Sequence, residues 1–230
     1  MSRTESPLRF ELGGGATALF TERVHGNMSS VSGDGAEHGR EARERLRLLA
    51  GVERLARGYQ VHGTFVRRLD AATAADPDGV RPADADGQAT ALAGVGVMVL
   101  GADCLPVALG TEGAVAMVHA GWRGLAAGVI EEGVRVLGQA SPGSEVVAII
   151  GPGAGVCCYE VGEQVHAAFG GDHRDGARID LKAIARERLL AAGVAEVRDL
   201  GLCTICEERF FSHRREGERA GRQGGVAWLS

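Results

Sequence analysis

Ala102-Asp-Cys-Leu-Pro-Val-Ala-Leu109 and Ala114-Val-Ala-Met-Val-His-Ala-Gly-Trp-Arg-Gly124 carry two apolar runs, Pro106 to Leu109 and Ala114 to His119, separated by Gly110-Thr-Glu-Gly113. Short apolar runs flanking a glycine-bounded turn signal predict a β-hairpin. Closed by the four turn residues, the hairpin sets Leu109 across from Ala114 and, counting outward, Cys104 across from His119. Directly opposed residues have Cβ atoms about 4.5–5.5 Å apart on one sheet face. That spacing lets a thiolate and an imidazole share one zinc ion, whose bonds are about 2.0–2.3 Å long. A slip of one residue would turn one side chain to the other face. A third ligand must come from elsewhere: His62 in Tyr59-Gln-Val-His-Gly63 is the first choice and His213 its replacement.

Three protein ligands of mixed nitrogen and sulfur, with an open fourth position, describe a catalytic rather than a structural zinc site. The same residues also admit a reactive Cys104 with His119 as its base and no metal, or unrelated packing. Asp103 alternates to the opposite face of a regular strand, so it suits holding the backbone better than ligating the metal. In His119-Ala-Gly-Trp-Arg-Gly124, Gly121 permits a sharp exit from the strand, and Arg123 stands beside a helix start with free backbone N–H groups. Arg123 is thus either a phosphate or carboxylate binder or a surface charge, and Trp122 a core anchor.

Gly151-Pro-Gly-Ala-Gly155 follows an apolar strand, but Cys157-Cys158-Tyr159 stands where a dinucleotide-binding helix would open and no βαβ repeat surrounds it; it reads as a tight loop near a pocket. Cys203-Thr-Ile-Cys206 is one CxxC pair, weak evidence alone for zinc or redox exchange. Phe210-Phe-Ser-His-Arg-Arg215 places polar groups after an aromatic anchor, nominating Arg214 and Arg215 beside Arg123 as substrate or phosphate binders. Glu160 and Asp180 can serve proton transfer or be solvated carboxylates.

The chain has 230 residues, 45% hydrophobic, with few aromatics and 36 glycines, as expected of one domain of closely packed small and branched side chains. Its net charge of −5, without a basic block, argues against nucleic acid as partner. Arg209, Arg214, Arg215, Arg219 and Arg222 gather near the C-terminus and suit an anionic small molecule or a solvated face. No apolar run reaches the ~20 residues of a membrane span, and the first residues offer no basic region followed by a hydrophobic core, so secretion by a standard signal is not expected. Five cysteines are too few and too uneven for a disulfide framework. A cytoplasmic protein with free or metal-bound thiols is the expectation.

Along the chain, strand pieces are expected over 8–21, a loop over 27–35, a helix over 41–57 with Leu46, Leu48 and Leu49 on its apolar side, and a strand over 60–69 broken at Gly63. Asp76-Pro-Asp-Gly79 is a turn signal. A doubly buried strand over 95–100, one helix over 122–137 and a strand over 145–150 follow. Helices over 162–169 and 181–192 and closing strands over 195–200 and 225–229 complete the set. Hairpins mixed with helices, without regular alternation, indicate a mixed α/β or α+β domain.

These segments resemble the YfiH/LACC1 family, known under the names multicopper polyphenol oxidoreductase (laccase-like), purine nucleoside phosphorylase and peptidoglycan editing factor. The likeness is carried by Gln60-Val-His-Gly63, Ala102-Asp-Cys104 with Pro106, His119-Ala-Gly-Trp-Arg-Gly124, Gly151-Pro152 and Cys158-Tyr-Glu-Val-Gly162. Asp180-Leu181, Cys203-Thr204, Phe211-Ser-His-Arg-Arg215 and Gly221-Arg-Gln223 continue it in order. The resemblance implies a single α+β domain over 1–230, a mixed α/β sandwich, with zinc on His62, Cys104 and His119. The segment Phe20-Thr-Glu-Arg-Val-His-Gly26 departs from the family pattern, so neither Arg23 nor His25 is assigned to the pocket.

The function that the resemblance implies is a zinc-dependent purine nucleoside phosphorylase, releasing a base and ribose 1-phosphate, with adenosine deamination as an additional activity. The alternatives are a peptidoglycan-editing amidase removing L-serine from UDP-MurNAc-L-Ser, a copper-dependent polyphenol oxidase and a non-catalytic metal-binding module. The expected partners are a nucleoside and phosphate, with no nucleic acid or membrane. A two-histidine, one-cysteine site can hold copper, but seven scattered histidines do not supply a three-copper cluster; about one zinc per chain is expected.

Overall fold

The computed structural model describes residues 6–71, 73 and 81–229; the turn signal at Asp76–Gly79 lies outside the described residues. In chain order the elements are β1 (Leu8–Gly13), β2 (Ala16–Phe20), α1 (Gly39–Ala50), β3 (Arg54–Arg57), β4 (Val66–Leu69), β5 (Gly87–Thr90) and β6 (Val95–Gly101). They continue with β7 (Leu105–Thr111), β8 (Ala114–Ala120), α2 (Trp122–Ala127), α3 (Val129–Ala140), β9 (Val147–Ile150) and α4 (Glu163–Ala168). Last come the short hairpin β10 (Arg174–Asp175) and β11 (Arg178–Ile179), then α5 (Leu181–Ala191), β12 (Glu196–Asp199), α6 (His213–Glu216) and β13 (Gln223–Leu229).

Two sheets face each other. One runs β1-β2-β13-β6-β3, the other β12-β9-β7-β8-β5-β4. Strand alternation sorts the side chains into layers. Ala108 of β7 and Val115 and Met117 of β8 meet Phe20, Val97, Val99 and Ala227 between the sheets. Leu105, Val107, Leu109, Ala116 and Val118 point the other way, onto Ile130 and Leu137 of α3 and Ile184 and Leu189 of α5. Ala42, Leu46 and Ala50 of α1 cover the outer face of the first sheet, against Leu19, Met98 and Trp228. The result is one four-layer mixed α/β sandwich, in agreement with the expected class. Burying each branched side chain of these layers contributes about 1.5–3 kcal/mol.

Several expected boundaries shift for local reasons. The helix expected over 41–57 stops at Gly51, which takes φ 72° and donates its N–H to Arg47 O; the left-handed cap lets the chain turn back as β3. Ala42, Leu46 and Ala50 form its buried stripe, at i, i+4, i+8, whereas Leu48 and Leu49 are 64% and 57% exposed. The single helix expected over 122–137 is split by Gly128 at φ 102° into α2 and α3. Only Val66–Leu69 of the expected 60–69 strand pairs in a sheet; the preceding residues form a loop. The 225–229 segment, expected to close the sheet, lies at its middle, with β13 between β2 and β6.

The central hairpin also differs in register. Thr111 pairs with Ala114, so Glu112-Gly113 is the whole turn, with Gly113 at φ 91°. Pro106 then faces His119 and Leu105 faces Ala120, and Cys104 lies just before the paired strand. The slip is an even one, so residues stay on the faces assigned to them.

Candidate metal centre

Two connections cross from the first sheet to the second at the same end of the sandwich. β6 leaves the first sheet and passes through Ala102-Asp103-Cys104 into β7 of the second; β3 leaves beside it and passes through residues 58–65 into β4. Gln60 ties the two crossings together: its side chain donates to Leu100 O at 2.6 Å and accepts from Leu100 N at 2.8 Å. His119, near the end of β8, shares the inter-sheet face with Val115 and Met117. His62, Cys104 and His119 therefore meet where the slot between the sheets opens.

Their ligand atoms lie within 4.8 Å of one another, grading from exposed His62 through half-buried Cys104 to buried His119. Cys104 Sγ is 3.8 Å from His62 Nε2, and the two imidazoles meet edge to face at 4.9 Å between centroids. Gly121 makes the approach possible. A Cβ there would stand 2.8 Å from His62 Cδ2 and 3.0 Å from Cys104 Sγ.

Asp86 organises the group, and sequence reasoning missed it. This fully buried carboxylate lies 2.9 Å from His119 Nδ1, so that nitrogen donates and Nε2 is left for a ligand. The same carboxylate accepts from the backbone N–H groups of Val61, His62 and Gly63 at 3.2, 2.9 and 2.7 Å. Those bonds hold His62 at φ 59°, a strained value for a non-glycine residue. The available signal was Asp86 immediately before the Gly87 strand, but nothing local related it to residues 61–63 or 119.

Charge is concentrated here. Burial alone would raise the Cys104 thiol, but the His119 charge and hydrogen bonds from both imidazoles overcome it and lower its pKa to about 6. Burial alone would lower His119, yet the Cys104 thiolate and Asp86 raise it to about 9. Both shifts run in the direction that favours a thiolate beside an imidazolium, the form in which a thiol is a ready ligand or nucleophile.

Asp103 takes the backbone-holding place expected of it. At φ 92°, it accepts from Thr204 Oγ1 at 2.7 Å and from Arg214 N at 2.8 Å, and its carbonyl accepts from Ala154 N at 2.8 Å. The glycine-rich loop at 151–155 thus braces Asp103. Gly151 lies against the Phe20 ring, where a Cβ would come within 2.4 Å.

The nominated arginines occupy three settings. Arg214 is exposed, with its guanidinium 5.0 Å from the ring centre of Tyr159; burial first and then the Cys104 charge raise the Tyr159 phenol pKa. Arg123 is exposed and stacks on Trp122 at 4.3 Å. Arg215 donates to Thr204 O, Ile205 O, Phe210 O and Glu216 Oε1, joining the loop after β12 to α6. Arg222, half-buried, stands within electrostatic reach of Cys104 and Asp103. Arg209 and Arg219 pair with Glu22 and Asp34. His213 is exposed, its Nδ1 3.1 Å from Gly217 O, apart from the trio. Asp180 caps α5, accepting from Lys182 N and Ala183 N, and Glu160 is exposed in a bridge to Arg178. Arg23, left unassigned by sequence, lines a cavity of about 640 Å³ with Phe211, Arg215, Glu216 and Arg219.

Comparison with known proteins agrees with this architecture. Residues 12–230 match the family model described as multi-copper polyphenol oxidoreductase laccase. A "Purine nucleoside phosphorylase" of Xylella fastidiosa (strain Temecula1) is 40% identical over 236 residues, covering 94% of this chain and 88% of that protein. "Purine nucleoside phosphorylase YfiH" of Escherichia coli K12 is 36% identical, covering 88% and 86%. Among solved structures, a Neisseria meningitidis protein superposes with a TM-score of 0.85 at 31% identity, over 98% of this chain and 100% of that one. YlmD from Geobacillus stearothermophilus gives 0.86 at 29%, over 100% and 98%. The class is thus a mixed α/β enzyme carrying a two-histidine, one-cysteine cluster able to coordinate a metal ion. The chain belongs to the YfiH family, repeatedly described as purine nucleoside phosphorylase. Among the described residues, no helix is long and apolar enough to cross a membrane.

Proposed function

We propose that the chain is a zinc-dependent purine nucleoside phosphorylase that releases a purine base and ribose 1-phosphate, with adenosine deamination as a second reaction of the same site. The names of its relatives support this reading. The observation that carries it is the trio itself: one thiol and two imidazoles, one locked by a buried carboxylate, with Tyr159, which carries Arg214, within electrostatic reach of Cys104. The donor set fits zinc, since the Asp86 bond leaves His119 Nε2 free and Gly121 keeps the space between His62 and Cys104 clear. A zinc ion held there supplies Lewis acidity and activates water near neutral pH, the chemistry deamination needs.

Phosphorolysis asks more of the side chains. Phosphate must be held in line with the anomeric carbon of the sugar, and its charge offset by fixed donors. Arg214, over the Tyr159 ring, and exposed Arg123 are the candidates for direct contact with phosphate. Arg215, whose guanidinium holds three carbonyls, supports the same edge. Tyr159 keeps its proton at neutral pH and offers an O–H donor there.

The oxidase reading would require a histidine-rich copper cluster. Among the described residues the other histidines join neither metal-capable group. The test is phosphate-dependent release of hypoxanthine or adenine from inosine or adenosine by the zinc-loaded protein. Base release no greater than that of a boiled control, with phosphate varied, sinks the assignment. Selective release of serine from UDP-MurNAc-L-Ser, with negligible nucleoside turnover, replaces it with the editing amidase.

A further inference from the structure

The pairs Cys157–Cys158 and Cys203–Cys206, 45 or more residues apart in sequence, come together with all four sulfurs within 4.8 Å of one another. Cys203 is buried, and Cys157 and Cys206 are exposed. The structure joins Cys158 to Cys206 as a disulfide, and Cys157 Sγ is 3.2 Å from Cys206 Sγ. A disulfide engages two of these sulfurs; a tetrahedral metal engages all four. Zinc–sulfur bonds of about 2.3 Å set tetrahedral sulfurs roughly 3.8 Å apart, within the spread of this cluster. The CxxC pair that is weak evidence alone gains a second pair to face.

The backbone around the sulfurs is shaped for thiolates. Gly155 N donates to Cys203 Sγ at 3.3 Å. The backbone N–H groups of Ile205 and Cys206 turn toward the same sulfur. Two N–H groups from just beyond the first cysteine of a CxxC turn, both aimed back at its sulfur, offset part of the charge that four thiolates would bring to one ion.

We propose that the four cysteines, when reduced, bind a structural zinc ion that fastens the 155–159 loop to the 203–206 turn. Each thiol gives up its proton on coordination and no electron is transferred. The zinc has no position left for substrate, unlike the one at the trio. Its consequence for the mouth is mechanical. Thr204, inside the CxxC turn, holds Asp103, and Asp103 holds Arg214 N; Tyr159, next after Cys158, carries the Arg214 guanidinium. The site thus anchors both segments that aim Arg214.

The test uses the full chain, expressed with zinc and purified in a phosphine reductant, with Cys104→Ser introduced to remove the trio's own metal. The parent is expected to carry about two zinc ions per chain and C104S about one. Adding Cys157→Ser and Cys206→Ser, both at exposed positions so that packing survives, should bring zinc to about zero and lower the thermal midpoint by several degrees. Cobalt loaded into C104S should give intense thiolate-to-cobalt absorption that the triple variant lacks. C104S found free of zinc overturns the proposal, whether its four remaining thiols react freely or Cys158 and Cys206 stay bridged under reductant. So does zinc that survives in the triple variant.

Discussion

The two metal-capable clusters are built on opposite terms. His62, Cys104 and His119 are placed by paired strands and sheet-to-sheet crossings, and a buried carboxylate orients one ring while fixing the backbone of another. Cys157, Cys158, Cys203 and Cys206 stand on two irregular segments joined by a short bridge from Gly153 to Cys203, by Asp103, which both Ala154 N and Thr204 Oγ1 reach, and by the sulfurs themselves. A site imposed by a sheet sandwich can leave a coordination position open, because the fold does not depend on the ion. A site made of loops leans more on its own ligands to hold it together, so an ion there contributes stability rather than chemistry.

The largest effect that can break this contrast is removal of a trio ligand. Cys104→Ala, His62→Ala and His119→Ala should each lose the trio's zinc and cut activity by about a thousandfold or more while the circular dichroism spectrum stays that of the parent. Zinc content and turnover measured together decide it. Full occupancy in C104A refutes shared ligation, and loss of turnover with metal retained points instead to Cys104 as a nucleophile.

Asp86→Asn comes next. It weakens the acceptor for three backbone N–H groups and for His119, so metal affinity should fall about 10–100-fold and stability by about 2–4 kcal/mol. Competition with a chelator and urea unfolding measure the two. Unchanged affinity would remove Asp86 from the orienting role.

Gly121→Ala sharpens the comparison without touching a ligand. The backbone there, at φ −72° and ψ 160°, accepts any residue, so the whole effect is the Cβ pressed between His62 and Cys104. Zinc affinity is expected to drop about tenfold, with a stability change within about 1–3 kcal/mol. A thermal midpoint that falls steeply while zinc binding holds would mean the crowding is relieved away from the trio.

The smallest effect lies at the cavity edge. Burial would raise the Glu216 carboxyl, but Arg23, Ser212 N and Arg215 overcome it and hold its pKa below the usual range. A depressed carboxylate stabilises the fold above its unfolded pKa, and that contribution disappears as pH falls through the lower folded value. Glu216→Gln should therefore cost about 1–2 kcal/mol at pH 7 and progressively less as pH falls below the usual carboxylate range to pH 3. Equal cost at both pH values in denaturant titrations would show the charge to be irrelevant.

Much of the candidate site could be read along the chain because short motifs carry its candidate ligands. Cys104, His119 and Gly121 fall within one hairpin, and His62 sits in a four-residue string. The expected hairpin turn was two residues too long, yet the shift kept Cys104 and His119 on the same side. The helix boundaries at Gly51 and Gly128 were misjudged because the apolar periodicity runs on past each glycine, and only the backbone angle ends the helix. Asp86 escaped notice because its partners lie more than twenty residues away on either side. The four-cysteine cluster escaped for the same reason: its pairs are separated by over forty residues of intervening helix, hairpin and strand.

By itself, the sequence determined which residue types were available and their local geometry: alternating strands, a hairpin ending in histidine, a cysteine at a strand entry and two pairs of thiols. Tertiary structure decided which of them meet. Two crossings at one end of the sandwich bring His62 to Cys104, a carboxylate from the β5 entry reaches both a loop and a strand, and two loops converge on one another's sulfurs. The physical reason is range. Backbone angles and side-chain periodicity are settled within a few residues, whereas a carboxylate or thiolate can be buried only where the fold delivers its partners from distant parts of the chain.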